Sequence, residues 1–450
     1  MNKHERLTQT DTSHHWHPMA HPAEMLSKPP IIIAEAEGVH ITDSEGNRVL
    51  DAVGGLWNVN LGYSCQPIKD AISQQLNKLP YYSSFRGTTT ETAVELSQRI
   101  CEWFSSADVA RAFFTSGGSD SVETALRLAR QYQRVIGQPD RTKFISLRNG
   151  YHGTHFGAAS VNGNSKFRRN YEPLLAGCFH VPCPWVYRNP FEESDPERLA
   201  GLCAAALEAE LNFQSSDTVA AFIMEPVLGA GGVIVPHESF MPKVREICDR
   251  HGVLLIADEV ITAFGRTGAW TGSRLWNVKP DITCVAKGIT NGYFPTGAAL
   301  LSQRVADAFE ADSTGVGNIG HGYTYSAHPV GAAAALATLD MLSEHNLPEN
   351  AGARGAELLT GCRKLQEQYE CIGDVRGQGL MIALELVADR TSKALASKSL
   401  IETVFNEAYK AGVMVRVSGN LIILSPPLIL SAADVERILS ALNQGFKAVS

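Results

Sequence analysis

Chemically reactive side chains follow four predicted strands of this 450-residue chain, at the point where each strand ends. They are Tyr151 and His152, Glu225, Asp258 and Lys287. One lysine after a strand is usually a solvated loop residue. In an open α/β sheet, however, ligands bind outside the carboxyl ends of the strands. Two carboxylates, an imidazole, a phenol and an amine at one edge therefore predict a catalytic site there, with the amine as nucleophile.

A run of small residues, Thr115–Asp120, precedes a predicted helix over residues 120–136. The N-terminus of a helix leaves backbone N–H groups free, and its dipole favours an anion. The hydroxyl of Ser119 adds a donor beside Gly118. The pattern favours a phosphate-binding cup, with an ordinary helix cap as the alternative. It is not a nucleotide P-loop, because no Gly-Lys-Ser/Thr follows.

A second glycine-rich run, Gly229-Ala230-Gly231-Gly232, has the composition of a dinucleotide-binding fingerprint. Such a fingerprint must follow a strand and open a helix. Here the run precedes the apolar stretch Val233–Pro236 instead. We therefore reject dinucleotide binding at this position.

A lysine, a carboxylate, an aromatic ring and a phosphate cup are together the parts of a pyridoxal phosphate site. The lysine amine forms a Schiff base with the aldehyde of the cofactor. A carboxylate beside the pyridine nitrogen keeps that nitrogen protonated, so that the ring can accept electrons. An aromatic side chain stacks on the ring, and the cup holds the phosphate. The residues thus predict pyridoxal 5'-phosphate as the cofactor and no metal.

The elements that must position these residues are short apolar runs that alternate with helical patterns. The runs span residues 143–147, 219–224, 253–257 and 282–286, and helical patterns span 196–211 and 239–251. Apolar strands alternating with helices predict an α/β fold with a mainly parallel sheet that helices cover on both faces.

The character of the chain changes after about residue 322. Helical patterns cover residues 330–342, 352–370, 397–411 and 432–448, and strand patterns cover 413–417 and 421–424. Near the N-terminus, Gly38–Val53 predicts two short strands around a turn at residues 43–47. We expect a large cofactor-binding domain over residues 71–334. A smaller α+β domain is expected to combine residues 1–70 with residues 335–450.

The composition restricts the partners and the compartment. Lys and Arg total 39 and Asp and Glu total 47, for a formal net charge of −8, and no basic run occurs. This balance argues against nucleic acid or an anionic membrane as a partner. The nine cysteines are irregularly spaced and include no CxxC pair, which favours a reduced cytoplasmic setting. No apolar stretch is long enough to span a bilayer, and the N-terminus has no secretory apolar core.

The first fifteen residues are polar, and we expect them to be mobile. His14, His15, His17 and His21 cluster there and could bind a metal ion. No cysteine or carboxylate completes a recognisable ligand spacing, so the pattern favours a solvated tail.

Seven stretches, in order along the chain, resemble the class III, omega-amino acid type, pyridoxal-phosphate aminotransferases of fold type I. The likeness extends from about Trp16 to the C-terminus. The stretches are GGLWNVNLGY (54–63), FFTSGGSDSVETALRLAR (113–130), NGYHGTHFGAAS (149–160), IMEPVLGAGGVIVP (223–236), LIADEVITAFGRTG (255–268), AKGITNGYFPTGA (286–298) and HGYTYSAHPVGAAAALA (321–337).

The resemblance implies a role for each matching residue around the cofactor ring. Lys287 is the Schiff-base lysine and the proton carrier, and Asp258 pairs with the pyridine nitrogen. Tyr151 stacks on one face of the ring and Val260 packs on the other. Glu225 belongs to the surroundings of the ring. His152 is expected to be structural more often than catalytic.

The resemblance also implies how the phosphate is held. Gly118 and Ser119 bind it from one subunit, and Thr324 reaches it from the partner subunit, so a homodimer or higher oligomer is expected. The usual family pattern at the cup is close to Asn-Ser-Gly-Ser-Glu-Ala. This chain has Gly117 in place of the first serine, which removes one hydroxyl from the cup.

The implied activity is ping-pong transfer of an amino group from an omega-amino acid or another primary amine to pyruvate or a similar keto acid. Trp57 and Arg416 resemble the amine:pyruvate and β-alanine:pyruvate branch, in which a mobile arginine recognises the carboxylate of pyruvate. Trp57 and Phe85 are candidates for an aromatic pocket, with core packing as the alternative for each. Omega-amino acids, taurine-like amines, diamines and arylalkylamines all remain possible donors.

Two alternatives to transamination remain open from the sequence. Another fold type I reaction, by an aminomutase or racemase, would need no keto acid acceptor. A catalytically silent cofactor-binding homologue is the other alternative, and the intact Lys287, Asp258 and Ser119 argue against it.

Overall fold

The computed structural model describes residues 1–450. The chain begins with two helices, α1 (Lys3–His14) and α2 (Pro22–Ser27). Helix α1 starts with a capping box, in which Asn2 and Glu5 each accept a hydrogen bond from the other's backbone N–H. The residues expected to form a mobile tail thus form a helix, whose cap satisfies N–H groups of the first turn that would otherwise lack partners.

Three short antiparallel strands follow, β1 (Ile33–Glu37), β2 (His40–Asp43) and β3 (Arg48–Asp51). The predicted turn at residues 43–47 is confirmed. The carboxylate of Asp43 holds it by accepting hydrogen bonds from the backbone N–H groups of Glu45 and Asn47. The short turn α3 (Gly54–Trp57), whose backbone is not helical at Gly55 and Leu56, and the helix α4 (Gln66–Lys78) come next.

A seven-stranded sheet forms the centre of the structure, in the spatial order β4-β10-β9-β8-β7-β5-β6. The five strands from β9 to β6 in this order are mutually parallel, and β10 runs antiparallel to both of its neighbours. The predicted, mainly parallel sheet is confirmed, and the strand bounds differ from the prediction by one residue at most. The strands are β4 (Val109–Thr115), β5 (Lys143–Leu147), β6 (Cys178–Val181), β7 (Val219–Met224), β8 (Leu254–Asp258), β9 (Ile282–Val285) and β10 (Gly297–Ser302).

Helices cover both faces of this sheet. Adjacent strand residues belong to different apolar clusters: Phe144 packs with residues of α6 and α11, and Ile145 packs with residues of α8 and α9. Burial on both faces explains why the strands are continuously apolar. The helices of this region are α5 (Glu91–Trp103), α6 (Gly118–Val135), α7 (Phe156–Ser160), α8 (Pro196–Phe213), α9 (Phe240–His251), α10 (Gly272–Leu275) and α11 (Gln303–Ala311).

The C-terminal part combines long helices with a second antiparallel sheet of order β11-β12-β16-β15, with β13 paired to β12. Its elements are α12 (Pro329–Glu344), α13 (Leu347–Gln368), β11 (Ile372–Gln378), β12 (Met381–Asp389), β13 (Ala394–Leu395), α14 (Lys398–Lys410), β14 (Val413–Met414), β15 (Arg416–Ser418), β16 (Leu421–Leu424) and α15 (Ala432–Lys447).

The strand predicted over residues 413–417 is divided between two sheets. Strand β14 pairs in parallel with β3 and extends the N-terminal sheet to the order β1-β2-β3-β14. Strand β15 pairs with β16 through the two-residue turn Gly419-Asn420. The N-terminal and C-terminal parts of the chain are therefore joined by backbone hydrogen bonds.

Two helices cross the predicted domain boundaries, α4 at residues 70/71 and α12 at residues 334/335. No helix in the chain combines the length and the apolarity that a membrane-spanning segment requires.

Candidate active site

A cavity of about 130 Å³ lies at the carboxyl ends of β5, β7, β8 and β9. Parallel strands bring their carboxyl ends to one edge, which explains why residues far apart in sequence meet there. Eight of the residues that the sequence analysis placed at this site line the cavity, together with two that it did not. The lining consists of Gly118, Ser119, Tyr151, His152, Gly153, Glu225, Asp258, Val260, Ile261 and Lys287.

Lys287 begins a single helical turn that directly follows β9. Its backbone has a φ of 50°, in the left-handed region that side-chain-bearing residues seldom adopt. Loss of hydration lowers the pKa of its amine below the ordinary lysine value, although Asp258 and Glu225 partly oppose this shift. A lowered pKa increases the fraction of neutral amine, which is the nucleophilic and basic form.

Asp258 is the last residue of β8, and its carboxylate is held from two sides. His152 Nδ1 lies 2.9 Å from Asp258 Oδ2, and the backbone N–H of Val260 donates to Oδ1 at 3.1 Å. The side chains of His152 and Asp258 are both almost fully buried. A hydrogen bond therefore joins the two side chains. The orientation of Asp258 is thus fixed before any ligand binds.

Glu225 follows β7 and is an almost fully buried part of the cavity wall. Its two carboxyl oxygens accept hydrogen bonds from the backbone N–H groups of Tyr151 and Gly229, at 2.9 and 2.8 Å. Burial and the nearby Asp258 raise the pKa of Glu225 above its ordinary value, against an opposing effect of His152. The contact with Tyr151 shows how this acid positions an aromatic side chain of the cavity.

The predicted phosphate cup lies at the start of α6, which begins at Gly118. A Cβ atom on Gly118 would lie 2.9 Å from Cγ1 of Val260, so a larger residue could not pack against that valine. The hydroxyl of Ser119 lies beside it and accepts a hydrogen bond from the backbone N–H of Thr154 at 3.1 Å. The first turn of α6 therefore presents free N–H groups and a hydroxyl to the cavity, as an anion requires.

Two predicted site residues, Phe85 and Thr324, lie outside this cavity. Tyr81 donates a hydrogen bond to the backbone oxygen of Thr324, and Ser84 donates one to that of Ser326, both at 2.8 Å. The two segments together line a separate surface depression of about 1130 Å³. Exposed aromatic residues lie in or beside this depression and form what we call the aromatic surface: Tyr81, Tyr82, Phe85, Phe156 and Tyr325.

Trp57 and Arg416 lie on another side of the cavity. The Trp57 side chain is buried in an apolar cluster that includes Ile261, one of the lining residues. Arg416 lines a neighbouring cavity of about 560 Å³ together with Leu56. Burial lowers the pKa of the Arg416 guanidinium, and the nearby Tyr151 is the group that opposes this shift.

The sequence interpretation missed Gly153 and Ile261. Gly153 has a φ of 123°, and a Cβ atom there would lie 2.7 Å from the Ser119 hydroxyl. The glycine was visible in the stretch NGYHGTHFGAAS, but the close approach depends on the packing of α6 against this loop. Sequence reasoning alone carried no signal for Ile261.

The adjacent acids Asp258 and Glu259, at the end of β8, have different functions. Asp258 faces the cavity, whereas the carboxylate of Glu259 accepts hydrogen bonds from the backbone N–H groups of Gly272 and Ser273 and from the Thr262 hydroxyl. Glu259 therefore has a structural role: it holds the start of α10.

The N-terminal histidines also differ from expectation. The carboxylate of Asp11 lies 3.1 Å from His15 Nδ1 and 2.9 Å from His17 Nε2. The ligand-type atoms of these three residues lie within 4.8 Å of one another. A carboxylate thus does join the histidines, because helix α1 ends directly before the turn that carries them.

The model of the family described as "Aminotransferase class-III" matches residues 22–446 of the chain. The chain belongs to the class III aminotransferases. The putrescine–pyruvate aminotransferase of Pseudomonas aeruginosa is 36% identical over 433 residues, which cover 95% of this chain and 92% of that protein.

Solved structures agree in fold with this aminotransferase. An amine transaminase from an uncultivated Pseudomonas species, in its PLP-bound form, has a TM-score of 0.95 and 48% identity, and the match covers 97% of this chain and 99% of that one. An (S)-enantioselective omega-transaminase from Thermomicrobium roseum has a TM-score of 0.95 and 36% identity, with coverage of 100% and 99%. The fold is thus that of the fold type I aminotransferases, as expected.

The enzyme is therefore a pyridoxal-phosphate-dependent aminotransferase, which transfers an amino group from an amine to a keto acid. The residues present fit this cofactor. Because Gly118 has no side chain, Val260 can pack against it and the first turn of α6 remains open to a phosphate. Asp258 supplies a fixed carboxylate, and Lys287 supplies an amine of lowered pKa within the same cavity.

Proposed function

We propose that this aminotransferase uses a primary amine, such as an arylalkylamine, a diamine or an omega-amino acid, as donor and pyruvate as acceptor. The observation that carries the proposal is the position of Arg416. Its guanidinium lies near Tyr151 and Lys287, and it lines a mostly apolar cavity with Leu56. An arginine in such surroundings recognises a carboxylate with two parallel hydrogen bonds.

The relationship to the putrescine–pyruvate aminotransferase supports both halves of this proposal. Putrescine is a diamine without a carboxylate, and pyruvate is a small keto acid. An apolar wall suits the carbon chain of the donor, and a cationic group suits the acceptor. The experiment below determines which class of primary amine is the donor.

Each residue of the cavity has a role in the proposed reaction. When bound, pyridoxal phosphate supplies an electron-accepting ring for the charge that develops on the donor carbon. Lys287 Nζ, in its neutral form, takes the proton from the amine-bearing carbon of the donor. Asp258, fixed by His152, holds a proton on the ring nitrogen. Tyr151 and Val260 would pack on the ring, and Glu225 orients Tyr151 by accepting a hydrogen bond from the backbone N–H of Tyr151.

The phosphate is held by the N-terminus of α6 and by the Ser119 hydroxyl. We propose that Thr324 of a second subunit completes this site and that Phe85 of the same second subunit adds to the substrate pocket. The position of Thr324 and Phe85 on one surface supports this role. A hydrogen bond from Tyr81 joins the two segments that carry them, and this surface is separate from the cofactor cavity of the same chain. Exposed aromatic residues around them are typical of a surface that another protein covers.

The same proposal includes a homodimer as the active unit, a cytoplasmic location and a division into two domains. Nine free cysteines, of which six are buried, are consistent with a reducing compartment. The large domain would comprise residues 71–334, and the small domain would combine residues 1–70 with 335–450. The parallel pairing of β14 with β3 supports the joining of the two terminal parts.

The test is a panel of amine donors with pyruvate, read by the formation of alanine. 1-Phenylethylamine, putrescine, β-alanine and taurine represent the four donor classes. Alanine formation that requires both the donor and pyruvate supports the proposal. Conversion of an amino acid without any keto acid would instead indicate an aminomutase or a racemase. Absence of turnover with every donor and acceptor would indicate a silent homologue.

A further inference from the structure

A buried carboxylate holds the loop that carries Leu56 and Trp57. Asp51, at the end of β3, accepts hydrogen bonds from the backbone N–H groups of Val53 and Gly54 through Oδ1, at 2.9 and 3.1 Å. Its Oδ2 atom accepts one from the N–H of Gly55 at 2.8 Å. Three consecutive amides therefore converge on one side chain. None of these contacts involves a residue that the proposed reaction uses.

Tyr63 completes the set of donors to this carboxylate. Its hydroxyl donates to Asp51 Oδ2 at 2.6 Å. The backbone N–H of Tyr63 donates to the oxygen of Gly38, which anchors the tyrosine to the turn between β1 and β2. A hydrogen bond to an ionised group is among the stronger ones in proteins. Tyr63 thus fixes Asp51, and Asp51 fixes the loop.

The loop needs this support, because its backbone is unfavourable in isolation. Gly54, Gly55 and Trp57 have φ values of 60°, 65° and 65°. The left-handed region is accessible to glycine but is costly for a residue such as tryptophan, and it persists only where surrounding contacts hold it. The strained Trp57 packs against Ile261 of the cofactor cavity. Leu56 beside it is 55% exposed and faces the cavity that contains Arg416.

We propose that Asp51 and Tyr63 are positioning residues that set donor selectivity by holding residues 53–57 in the shape that presents Leu56 to the substrate and packs Trp57 against Ile261. Asp51 and Tyr63 line the same 560 Å³ cavity as Leu56 and Arg416, so a change in their hydrogen bond moves the part of the wall that Leu56 forms. This inference rests on the proposed function, which assigns the pocket to Leu56 and Arg416.

The chain contains a matched control for this pair. Tyr409 donates to Asp43 at 2.7 Å, and Asp43 also holds backbone N–H groups, those of Glu45 and Asn47. This second tyrosine–aspartate pair supports the turn at the other end of β2 and β3. Tyr63→Phe and Tyr409→Phe therefore each remove one hydroxyl from a carboxylate that organises a turn. Only the first of these turns carries pocket residues.

The experiment measures kcat/KM of the holoenzyme for 1-phenylethylamine and for putrescine, with saturating pyruvate. Tyr63→Phe is expected to change the ratio of the two values by about threefold or more, because pocket shape discriminates donors of different size. Tyr409→Phe is expected to leave the ratio at the wild-type value. An unchanged ratio in Tyr63→Phe, or an equal change in both variants, would overturn the inference.

Two further variants separate this inference from the proposed function. Leu56→Ala alters the pocket wall directly, and if it leaves the donor ratio unchanged, the pocket assignment itself is wrong. If Leu56→Ala changes the ratio and Tyr63→Phe does not, only the positioning role falls. The double variant should deviate from the product of the two single effects, since coupled sites are not additive. Should Tyr63→Phe fail to fold, Asp51→Asn provides the same measurement.

Discussion

The Nδ1 atom of His152 lies 2.9 Å from Oδ2 of Asp258, and both side chains are almost completely buried. His152 lies in the loop after β5 and Asp258 is the last residue of β8, and β7 separates these two strands in the sheet. The histidine thus reaches across a neighbouring strand to fix the carboxylate that we propose to pair with the ring nitrogen. The Nε2 atom of His152 is buried without a partner, so the contact with Asp258 is the main polar function of this side chain.

His152→Gln should lower kcat by about tenfold, on the scale of a lost hydrogen bond to a charged group of about 1.5–3 kcal/mol. The affinity for pyridoxal phosphate should change much less, because the first turn of α6 is untouched. His251→Gln removes a partly buried imidazole that lies 3.3 Å from Glu208, outside the cavity, and serves as the control. Steady-state rates and cofactor titration measure the two effects. A loss of cofactor affinity as large as the loss of rate would contradict the positioning role.

Lys287→Ala should abolish alanine formation from pyruvate, because no other amine lines the cavity. The variant should also lose the yellow colour that an amine donor bleaches in the wild-type enzyme. Lys279 is an exposed lysine that precedes β9, and Lys279→Ala should retain wild-type turnover. The measurements are absorbance spectra and alanine formation. Normal transamination by Lys287→Ala would show that another group performs the proton transfer.

The free energy of unfolding of the cofactor-free enzyme should vary with pH in a way that reports the lowered pKa of Lys287. Between this lowered value and the ordinary lysine pKa of about 10.4, the unfolded chain binds a proton that the folded chain does not. The free energy of unfolding contributed by this group therefore rises with pH through that window. Lys287→Met lacks the contribution. Denaturant unfolding of the two apoenzymes should give curves that diverge with pH, and parallel curves would exclude the shift.

Cofactor retention should follow the oligomeric state. Tyr325 is 60% exposed within the aromatic surface that includes Phe85, so Tyr325→Asp should weaken subunit association. Phe213 is 82% exposed at the end of α8, outside this surface, and Phe213→Asp is the matched control. Sedimentation together with cofactor titration tests the relation. A stable monomer that binds pyridoxal phosphate as tightly as the wild type would rule out a shared phosphate site.

Arg416→Ala should raise KM for pyruvate by about tenfold or more, because a charge-assisted hydrogen bond contributes about 1.5–3 kcal/mol. KM for 1-phenylethylamine should change little, since this donor has no carboxylate. Arg437→Ala, at an exposed position of α15, is expected to leave both constants unchanged. Initial rates with each substrate varied in turn provide the values. An equal increase for both substrates would indicate that Arg416 supports the structure of β15 instead.

The sequence by itself determined the strands of the central sheet and the residues at their ends. Continuous apolar runs such as Val219–Met224 form buried strands, and parallel strands necessarily bring their carboxyl ends together. The meeting of Glu225, Asp258 and Lys287 was therefore predictable from local patterns. The start of α6 was predictable for the same reason, because small residues before an amphipathic run mark a helix N-terminus.

Only the tertiary structure decided which side chains within those segments face one another. Asp258 and Glu259 are adjacent in sequence, yet one faces the cavity and the other holds α10. Phe85 and Thr324 lie together on a surface because Tyr81 connects their segments across more than two hundred residues. The division of residues 413–418 between two sheets likewise depends on strand partners supplied by distant parts of the chain. Such contacts are set by the packing of whole elements, which local residue patterns do not encode.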